Sequence, residues 1–168
     1  VTSILVDRNR NIWAGTENGL AMMKAGSNSF SRISELASSG FQVSDNTIKA
    51  LLEDDRGYIW VGTFGDGLYI LNRESGKFVH LMYDYNNPYS LSNNEVLSLY
   101  MDFSGIIWVG TNGLDKYNPK KEKFMLFDYV PYTREKLVFR NIHPIYEDMK
   151  GVLWVGSKTD GLHVLDRK

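Results

Sequence analysis

Two short runs of carboxylates are the first residues in this sequence that could do acid–base chemistry: Glu53-Asp54-Asp55 and Glu147-Asp148. Paired carboxylates can exchange protons with a substrate when their environments hold their pKa values apart. Both runs, however, precede a Gly-containing turn, where Asp side chains commonly hydrogen-bond the backbone amides. We therefore interpret these carboxylates as turn formers.

The three histidines are the next candidates for proton transfer or metal binding: His80, His143 and His163. Their spacing matches no pattern of zinc ligands. We expect His80 and His163 to lie within strands, packed or solvated, and we expect no metal and no cofactor. Because the sequence has no cysteine, disulfides, thiolate metal ligands and a thiol nucleophile are excluded.

Two loops resemble ligand-binding motifs only in part. Gly62-Thr-Phe-Gly65-Asp-Gly67 has the glycines of a phosphate loop, but such a loop opens a helix, and a strand is predicted here. Asp7-x-Asn9-x-Asn11 matches the first half of a calcium loop. Ile12 stands where that loop needs Gly, however, and Asn18 stands where it needs Glu. We predict turns at both places.

Charge and hydropathy argue against two kinds of partner. The formal net charge is -1 and no basic stripe is present, whereas nucleic-acid binding requires clustered Lys and Arg. No apolar run approaches the roughly 18 residues that cross a bilayer, so we expect no direct membrane contact from this segment. The sequence begins at Val1, inside a repeat, and we expect it to be an excerpt of a longer protein.

The strongest pattern in the chain is a repeat that contains all four tryptophans. Each Trp follows an Asp by six residues and precedes a Gly by two, and successive Trp residues are 47, 48 and 46 positions apart. Such a period indicates a repeat architecture, in which recurring residues are mostly scaffold. We assign structural roles to the repeated residues, which are Asp7, Asp54, Asp102 and Asp148; Trp13, Trp60, Trp108 and Trp154; and Gly15, Gly62, Gly110 and Gly156.

Each copy of the repeat predicts short strands joined by tight turns. In the second copy, an apolar run at 47–53 is followed by Asp54-Asp-Arg-Gly57, which fits a type I turn closed by a left-handed residue. β-branched and aromatic residues then favour further strands. The predicted strands are 2–6, 12–16, 20–23 and 30–33; 47–53, 58–63, 68–71 and 77–82; 96–101, 106–111, 114–117 and 124–127; and 142–147, 153–157 and 162–165.

These strands predict an all-β fold made of β-propeller blades, each of four antiparallel strands, with about four consecutive blades of a larger propeller. The blades are expected at approximately 1–34, 46–83, 94–128 and 139–168, the last incomplete. Ile-Trp-Val-Gly-Thr is apolar on both strand faces, so we expect each Trp to pack between blades. The Gly two residues later should admit a large side chain from the adjacent blade. A row of ligand-stacking indoles is the alternative, but four identical environments favour packing.

The repeated motif Asp-x-x-Gly-x-Ile-Trp-Val-Gly-Thr, followed by Gly-Leu, resembles the two-component regulator propeller repeat. The linker at 83–94 strengthens the resemblance, because Pro-x-Ser-Leu-Ser-x-Asn is a typical lead into the next blade of that family. The departures are modest: Arg10 replaces a turn Gly, Ala14 a Val and Ser157 a Thr. The linker at 129–139 lacks the Ser-Leu-Ser pattern.

The resemblance implies a segment of the periplasmic sensor region of a hybrid two-component system. The parent of such a segment is a membrane protein with a histidine kinase and a response regulator, which detects oligosaccharides and signals by phosphorelay. The resemblance therefore implies a non-catalytic segment with an oligosaccharide ligand. The alternative is a catalytic propeller of the streptogramin-lyase type, for which His143 is the candidate catalytic residue.

The residues expected to touch a ligand are aromatic and polar residues of the long linkers, which do not repeat between blades: Tyr83, Tyr85, Tyr89, Tyr129, Tyr132 and Arg134. Sugar rings stack on aromatic faces, and loops on a rigid scaffold commonly carry function. The same tyrosines could instead fix the linkers to the blade edges. Because the first and last blades of an excerpt would leave apolar faces bare, we also expect self-association into a homo-oligomer.

Overall fold

The computed structural model describes residues 1–33, 46–127 and 141–165. These residues form fifteen strands in four antiparallel sheets, in which consecutive strands are hydrogen-bonded neighbours. Among them, no helix has the length and apolar character to span a membrane. We call the sheets blades 1 to 4. Blade 1 contains β1 (Ser3–Val6), β2 (Ile12–Thr16), β3 (Gly19–Met23) and β4 (Ser31–Arg32); blade 2 contains β5 (Ile48–Glu53), β6 (Tyr58–Thr63), β7 (Leu68–Asn72) and β8 (Phe78–Leu81); blade 3 contains β9 (Ser98–Met101), β10 (Ile107–Gly110), β11 (Leu114–Asn118) and β12 (Lys123–Leu126); and blade 4 contains β13 (Ile142–Glu147), β14 (Leu153–Ser157) and β15 (Gly161–Leu165).

The all-β fold and its propeller blades, predicted from the repeat, are confirmed, and each predicted strand is present. The first strand of blade 3 differs in extent, because it begins at Ser98 rather than at Val96. The N–H of Val96 donates instead to the carbonyl of Thr63 in blade 2, at 2.8 Å. Contact with the preceding blade thus replaces pairing within the sheet at this point.

The blades pack face to face through three buried apolar clusters, each shared by two successive blades. In β6, Trp60 belongs to the cluster with blade 3, whereas Ile59 and Val61 belong to the cluster with blade 1. This division follows from the two-residue period of a strand, and it explains why the motif is apolar on both faces. The first strands of successive blades lie beside one another, as the inner strands of a propeller do.

The turn between the first two strands of each blade is built on the repeated Asp. In blade 2, Asp54 Oδ1 accepts hydrogen bonds from the N–H groups of Arg56 at 3.0 Å and Tyr58 at 2.9 Å. Gly57 closes the turn with a φ of 81°, a conformation that glycine adopts readily. Arg10 takes this place in blade 1 with a φ of 63°, so the turn geometry is kept even without the glycine.

The Gly that follows each Trp by two residues lies against a large side chain. In the first three blades that side chain comes from the next blade, and the pairs are Gly15 with Ile48, Gly62 with Val96 and Gly110 with Ile142. A Cβ added to Gly62 would lie 2.6 Å from Val96 Cγ1, well inside van der Waals contact. In blade 4, Gly156 meets Pro144 of its own blade, and the described residues contain no fifth blade.

Candidate functional site

The repeated Asp residues bind the indoles of the repeated Trp residues. The four Nε1–H groups donate to Asp Oδ2, in the pairs Trp13–Asp7 at 2.9 Å, Trp60–Asp54 at 3.1 Å, Trp108–Asp102 at 2.8 Å and Trp154–Asp148 at 3.1 Å. Oδ1 of each carboxylate accepts from turn amides. Sequence reasoning missed the indole bond, although the constant six-residue spacing was its signal. Both oxygens of each repeated Asp are therefore committed to the scaffold.

The two glutamates of the carboxylate runs connect successive blades. Glu53 Oε2 accepts the N–H of Arg8 in blade 1 at 2.8 Å, and Glu147 Oε2 accepts the N–H of Phe103 in blade 3 at 2.7 Å. Met101 occupies this strand position in blade 3. Because Met101 has no carboxylate, it cannot make the same bond to blade 2.

An ion-pair network lies between blades 1 and 2. Arg73 Nη1 lies 2.8 Å from Glu53 Oε1 and 3.1 Å from Asp7 Oδ2. Burial raises the pKa of Asp7, but hydrogen bonds led by that from Trp13, together with the Arg73 charge, outweigh burial and hold it below its usual value. Pro119 occupies the position of Arg73 in blade 3, so this position supplies no cation between blades 2 and 3.

A groove of about 760 Å³ opens between blades 2 and 3, a volume typical of small-molecule sites. Its buried side is lined by the aromatic rings of Tyr58, Tyr117 and Phe124. One wall is β8 and the other is the linker that leads into blade 3. We call it the blade 2/3 groove, and its polar lining residues include Arg56, Asn72, Lys77, His80, Asp84, Asn87 and Glu122.

Of the residues predicted to contact a ligand, Tyr89 lines the blade 2/3 groove. Its side chain is 50% exposed, and Lys123 Nζ lies 4.3 Å from the centre of its ring. Tyr83 and Tyr85 are exposed on the same linker but do not line the groove. The remaining three candidates, Tyr129, Tyr132 and Arg134, lie outside the described residues.

The Ser-Leu-Ser segment fixes the linker that forms the groove wall. Ser90 Oγ accepts the N–H of Asp84 at 3.0 Å. Leu91 is buried in the apolar cluster between blades 2 and 3. Ser92 Oγ donates to Asp115 Oδ2 at 2.7 Å. These anchors, one to the linker itself and two to the blades, hold the wall in place.

Asp115 is a fully buried carboxylate at the strand position that Tyr69 holds in blade 2. The N–H and Oγ–H of Ser92 both donate to its Oδ2, whereas its Oδ1 has no hydrogen-bond partner among the described residues. Burial raises the pKa of Asp115 to about 6, and hydrogen bonds from Ser92 and Thr111 only partly oppose the rise. The anchor of the linker is therefore sensitive to pH.

We expect Asp115 to make the protein less stable as the pH rises. Its folded pKa of about 6 lies above the value near 3.9 of an unfolded Asp, so the folded state holds the proton more tightly. The free energy of unfolding should then fall by about 3 kcal/mol between about pH 4 and pH 6. Asp115→Asn should remove most of this fall, as measured by urea unfolding at pH 4, 5, 6 and 7. If the free energy of unfolding depended on pH equally in the wild type and in Asp115→Asn, Asp115 would not be the group responsible.

A second titratable cluster lies at the turn between β6 and β7. Asp66 Oδ2 accepts from the Tyr69 hydroxyl at 2.5 Å and from Asn46 Nδ2 at 2.8 Å. His80 stacks on Tyr69 with the ring centres 4.0 Å apart, and burial together with Asp66 raises the pKa of Tyr69. His143 is exposed in β13. Across the described residues, no group of three His, Asp or Glu side chains is placed to hold a metal.

The family model of the two-component regulator propeller matches two stretches of the chain, residues 42–65 and 90–113. The second stretch contains the Ser-Leu-Ser segment, β9, β10 and Trp108. No curated protein matches the chain.

Solved structures share the fold. The extracellular domain of BT3049 from B. thetaiotaomicron, named as a hybrid two-component system, is 21% identical with a TM-score of 0.70, over 100% of this chain and 28% of that one. Virginiamycin B lyase from Staphylococcus aureus is 12% identical with a TM-score of 0.60, over 97% of this chain and 54% of that one. The WD40 β-propeller domain of Doa1 is 10% identical with a TM-score of 0.69, over 100% of this chain and 51% of that one.

At these identities the likeness shows the fold alone, and the chain spans only about 28% of the BT3049 domain. The family match is independent of that likeness, because it depends on the residues of the repeat. The two stretches at 42–65 and 90–113 match the two-component regulator propeller repeat, and the blades and Asp–Trp pairs recur with the same period along the chain.

Proposed function

We propose that this chain is a non-catalytic part of the periplasmic propeller of a hybrid two-component sensor, and that the intact sensor detects an oligosaccharide and signals by phosphorelay. The observation that carries the proposal is the family repeat at residues 42–65 and 90–113. The likeness of the whole chain to the extracellular domain of BT3049 supports it. The likeness to virginiamycin B lyase is weaker support for catalysis, because the identity is only 12%.

The separation of repeated scaffold residues from the variable residues of the groove also supports a binding role. The repeated Asp and Trp side chains bond to each other and to the turns. The groove lining, in contrast, comes from positions that differ between blades, such as Tyr89 and Glu122. A rigid scaffold with variable residues around a groove suits recognition of a ligand.

Calorimetric titration with a panel of neutral and acidic oligosaccharides tests this proposal. We expect at least one oligosaccharide to bind saturably and to be recovered unchanged by mass spectrometry. Incubation with a streptogramin B antibiotic serves as the catalytic control. Ring opening of that antibiotic by the protein, with no oligosaccharide bound, would overturn the proposal.

We also propose that the protein self-associates through the uncovered faces of blades 1 and 4. Ile4 and Val6 on blade 1 are 67% and 60% exposed, and Leu162 and Val164 on blade 4 are 63% and 50% exposed. At the internal junctions the corresponding faces are buried, as at Leu68 with 0% exposure. Exposed apolar side chains on an uncovered sheet face favour association.

Light scattering after size-exclusion chromatography checks this expectation. The wild-type protein should show a mass that rises with concentration above that of one chain. Leu162→Glu, which places a charge on the uncovered face of blade 4, should shift the protein to a monomer. A monodisperse wild-type monomer at high concentration would refute self-association.

A further inference from the structure

The blade 2/3 groove combines aromatic surface with polar groups that can form further hydrogen bonds. Tyr89 presents a half-exposed ring at its wall, and Tyr58 contributes a second, partly buried ring. The Arg56 guanidinium lies 4.9 Å from the centre of the Tyr58 ring. A ligand in this groove would therefore meet flat apolar faces as well as hydrogen-bonding groups.

The two asparagines of the groove have their oxygens committed and their nitrogens available. Asn72 Oδ1 accepts the N–H groups of Glu74 and Ser75, each at 3.0 Å. Asn87 Oδ1 accepts the N–H of Tyr89 at 3.0 Å. These bonds fix both amides in orientation, and neither Nδ2 has a hydrogen-bond partner among the described residues. Each Nδ2 can therefore donate to a ligand oxygen.

The charges around the groove are balanced. Arg56 is paired with Asp54 at 3.1 Å. The Asp54 carboxylate is buried and also accepts the Trp60 indole N–H. Of the other charged side chains, Lys77, Asp84 and Glu122 line the groove. Lys123 lies beside it, with its Nζ 4.3 Å from the centre of the Tyr89 ring. An acidic ligand would meet carboxylates, and a basic ligand would meet ammonium groups. This balance favours a neutral ligand that carries both donors and acceptors.

The groove lies at a junction that lacks the bridging contacts made between blades 1 and 2. Between blades 1 and 2, Glu53 and Arg73 bridge the two sheets. Their counterparts between blades 2 and 3 are Met101 and Pro119, which can make neither the carboxylate bond nor the ion pair. The space between these two blades is thus left free of bridging side chains from those positions.

We propose that the blade 2/3 groove is a binding site for a neutral oligosaccharide. The sugar faces pack on Tyr89 and Tyr58, and the hydroxyl groups bond to the Nδ2 groups of Asn72 and Asn87 and to the Glu122 carboxylate. A hydroxylated ring is the ligand class that has apolar faces and both donors and acceptors without net charge. This inference rests on the proposed function as a sugar sensor and assigns that function a site.

The test is a set of calorimetric titrations of the whole protein and its variants. The neutral probes are maltohexaose, cellohexaose and xylohexaose, and the acidic probes are oligogalacturonate and a chondroitin sulfate hexasaccharide. We expect a neutral probe to bind, and Tyr89→Ala to weaken it about tenfold or more, as removal of an aromatic anchor does. Lys77→Ala, a change at an exposed lining residue, should weaken binding less. Phe103→Ala is the matched control, because Phe103 is 76% exposed and does not line the groove.

The outcomes distinguish a failure of the groove as the binding site from a failure of the proposal that the protein senses an oligosaccharide. A neutral probe that binds wild type and Tyr89→Ala equally, or that loses affinity only in Tyr85→Ala, overturns the groove and leaves sugar sensing intact. Binding of acidic probes alone overturns the neutral ligand. Failure of every oligosaccharide to bind the wild-type protein overturns both proposals. Equal thermal midpoints of Tyr89→Ala and Phe103→Ala show that a loss of affinity is not a loss of folding.

Discussion

Trp60→Ala is expected to lower the free energy of unfolding by about 3–5 kcal/mol, the range for removing a large buried aromatic side chain. Trp60 is fully buried between blades 2 and 3. Its ring meets Tyr117 edge-on, with the centres 5.1 Å apart. The substitution would leave a cavity in that interface and remove the indole donor from Asp54. Urea unfolding followed by circular dichroism measures the loss.

Trp154→Ala provides the matched control within the same chain. Trp154 makes the same bond to its Asp at 3.1 Å, but it is only half-buried, since no described blade covers it. Its substitution should therefore cost clearly less than that of Trp60. Equal losses at the two positions would mean that the Trp residues stabilise their own blades and not the contacts between blades.

Gly62→Ala is the second change for which we expect a large effect, a loss of about 1–3 kcal/mol from overpacking. The new Cβ would lie 2.6 Å from Val96 Cγ1 in blade 3. Either the side chain or the blade must move, and Val96 is itself fully buried. Thermal and urea unfolding of the single variants and of the double variant Gly62→Ala/Val96→Ala measure the effect.

The double variant tells a clash between blades from a backbone effect. Val96→Ala removes the Cγ1 that the new methyl would meet, so the combined loss should be smaller than the sum of the two single losses. Strict additivity would show that Gly62 is required for its own strand and not for the approach of blade 3.

The fold could be predicted because its signals are local and repeated. A turn-forming Asp lies six residues before each Trp, and a turn Gly lies three residues before each Trp except Trp13. The two-residue period of a strand then shows which residues share a face. The strand starts were harder, as at Val96, whose N–H bonds to Thr63 in the preceding blade. Such a contact between blades leaves no trace in the local pattern.

The candidate site was only partly predictable for the same reason. Tyr89 could be predicted from its residue type and its place in a linker. The groove also depends on Met101 and Pro119, which take the positions of the bridging residues Glu53 and Arg73. The burial of Asp115 was not foreseen either, because a single Asp in a strand gives no sign of the Ser92 that binds it from the linker. Sites formed between blades need the packing of the blades before they can be seen.

Hydrogen exchange of the four indole Nε1–H groups, followed by NMR on the Leu162→Glu variant, tests most directly the claim that the Trp residues are packed between blades. Trp13, Trp60 and Trp108 are 2%, 0% and 0% exposed. Trp154 is half-buried, on the face of blade 4 that the Leu162→Glu substitution keeps free of a second molecule. We expect three slowly exchanging indoles and one, Trp154, that exchanges much faster. Four indoles that exchange at one common rate would contradict it.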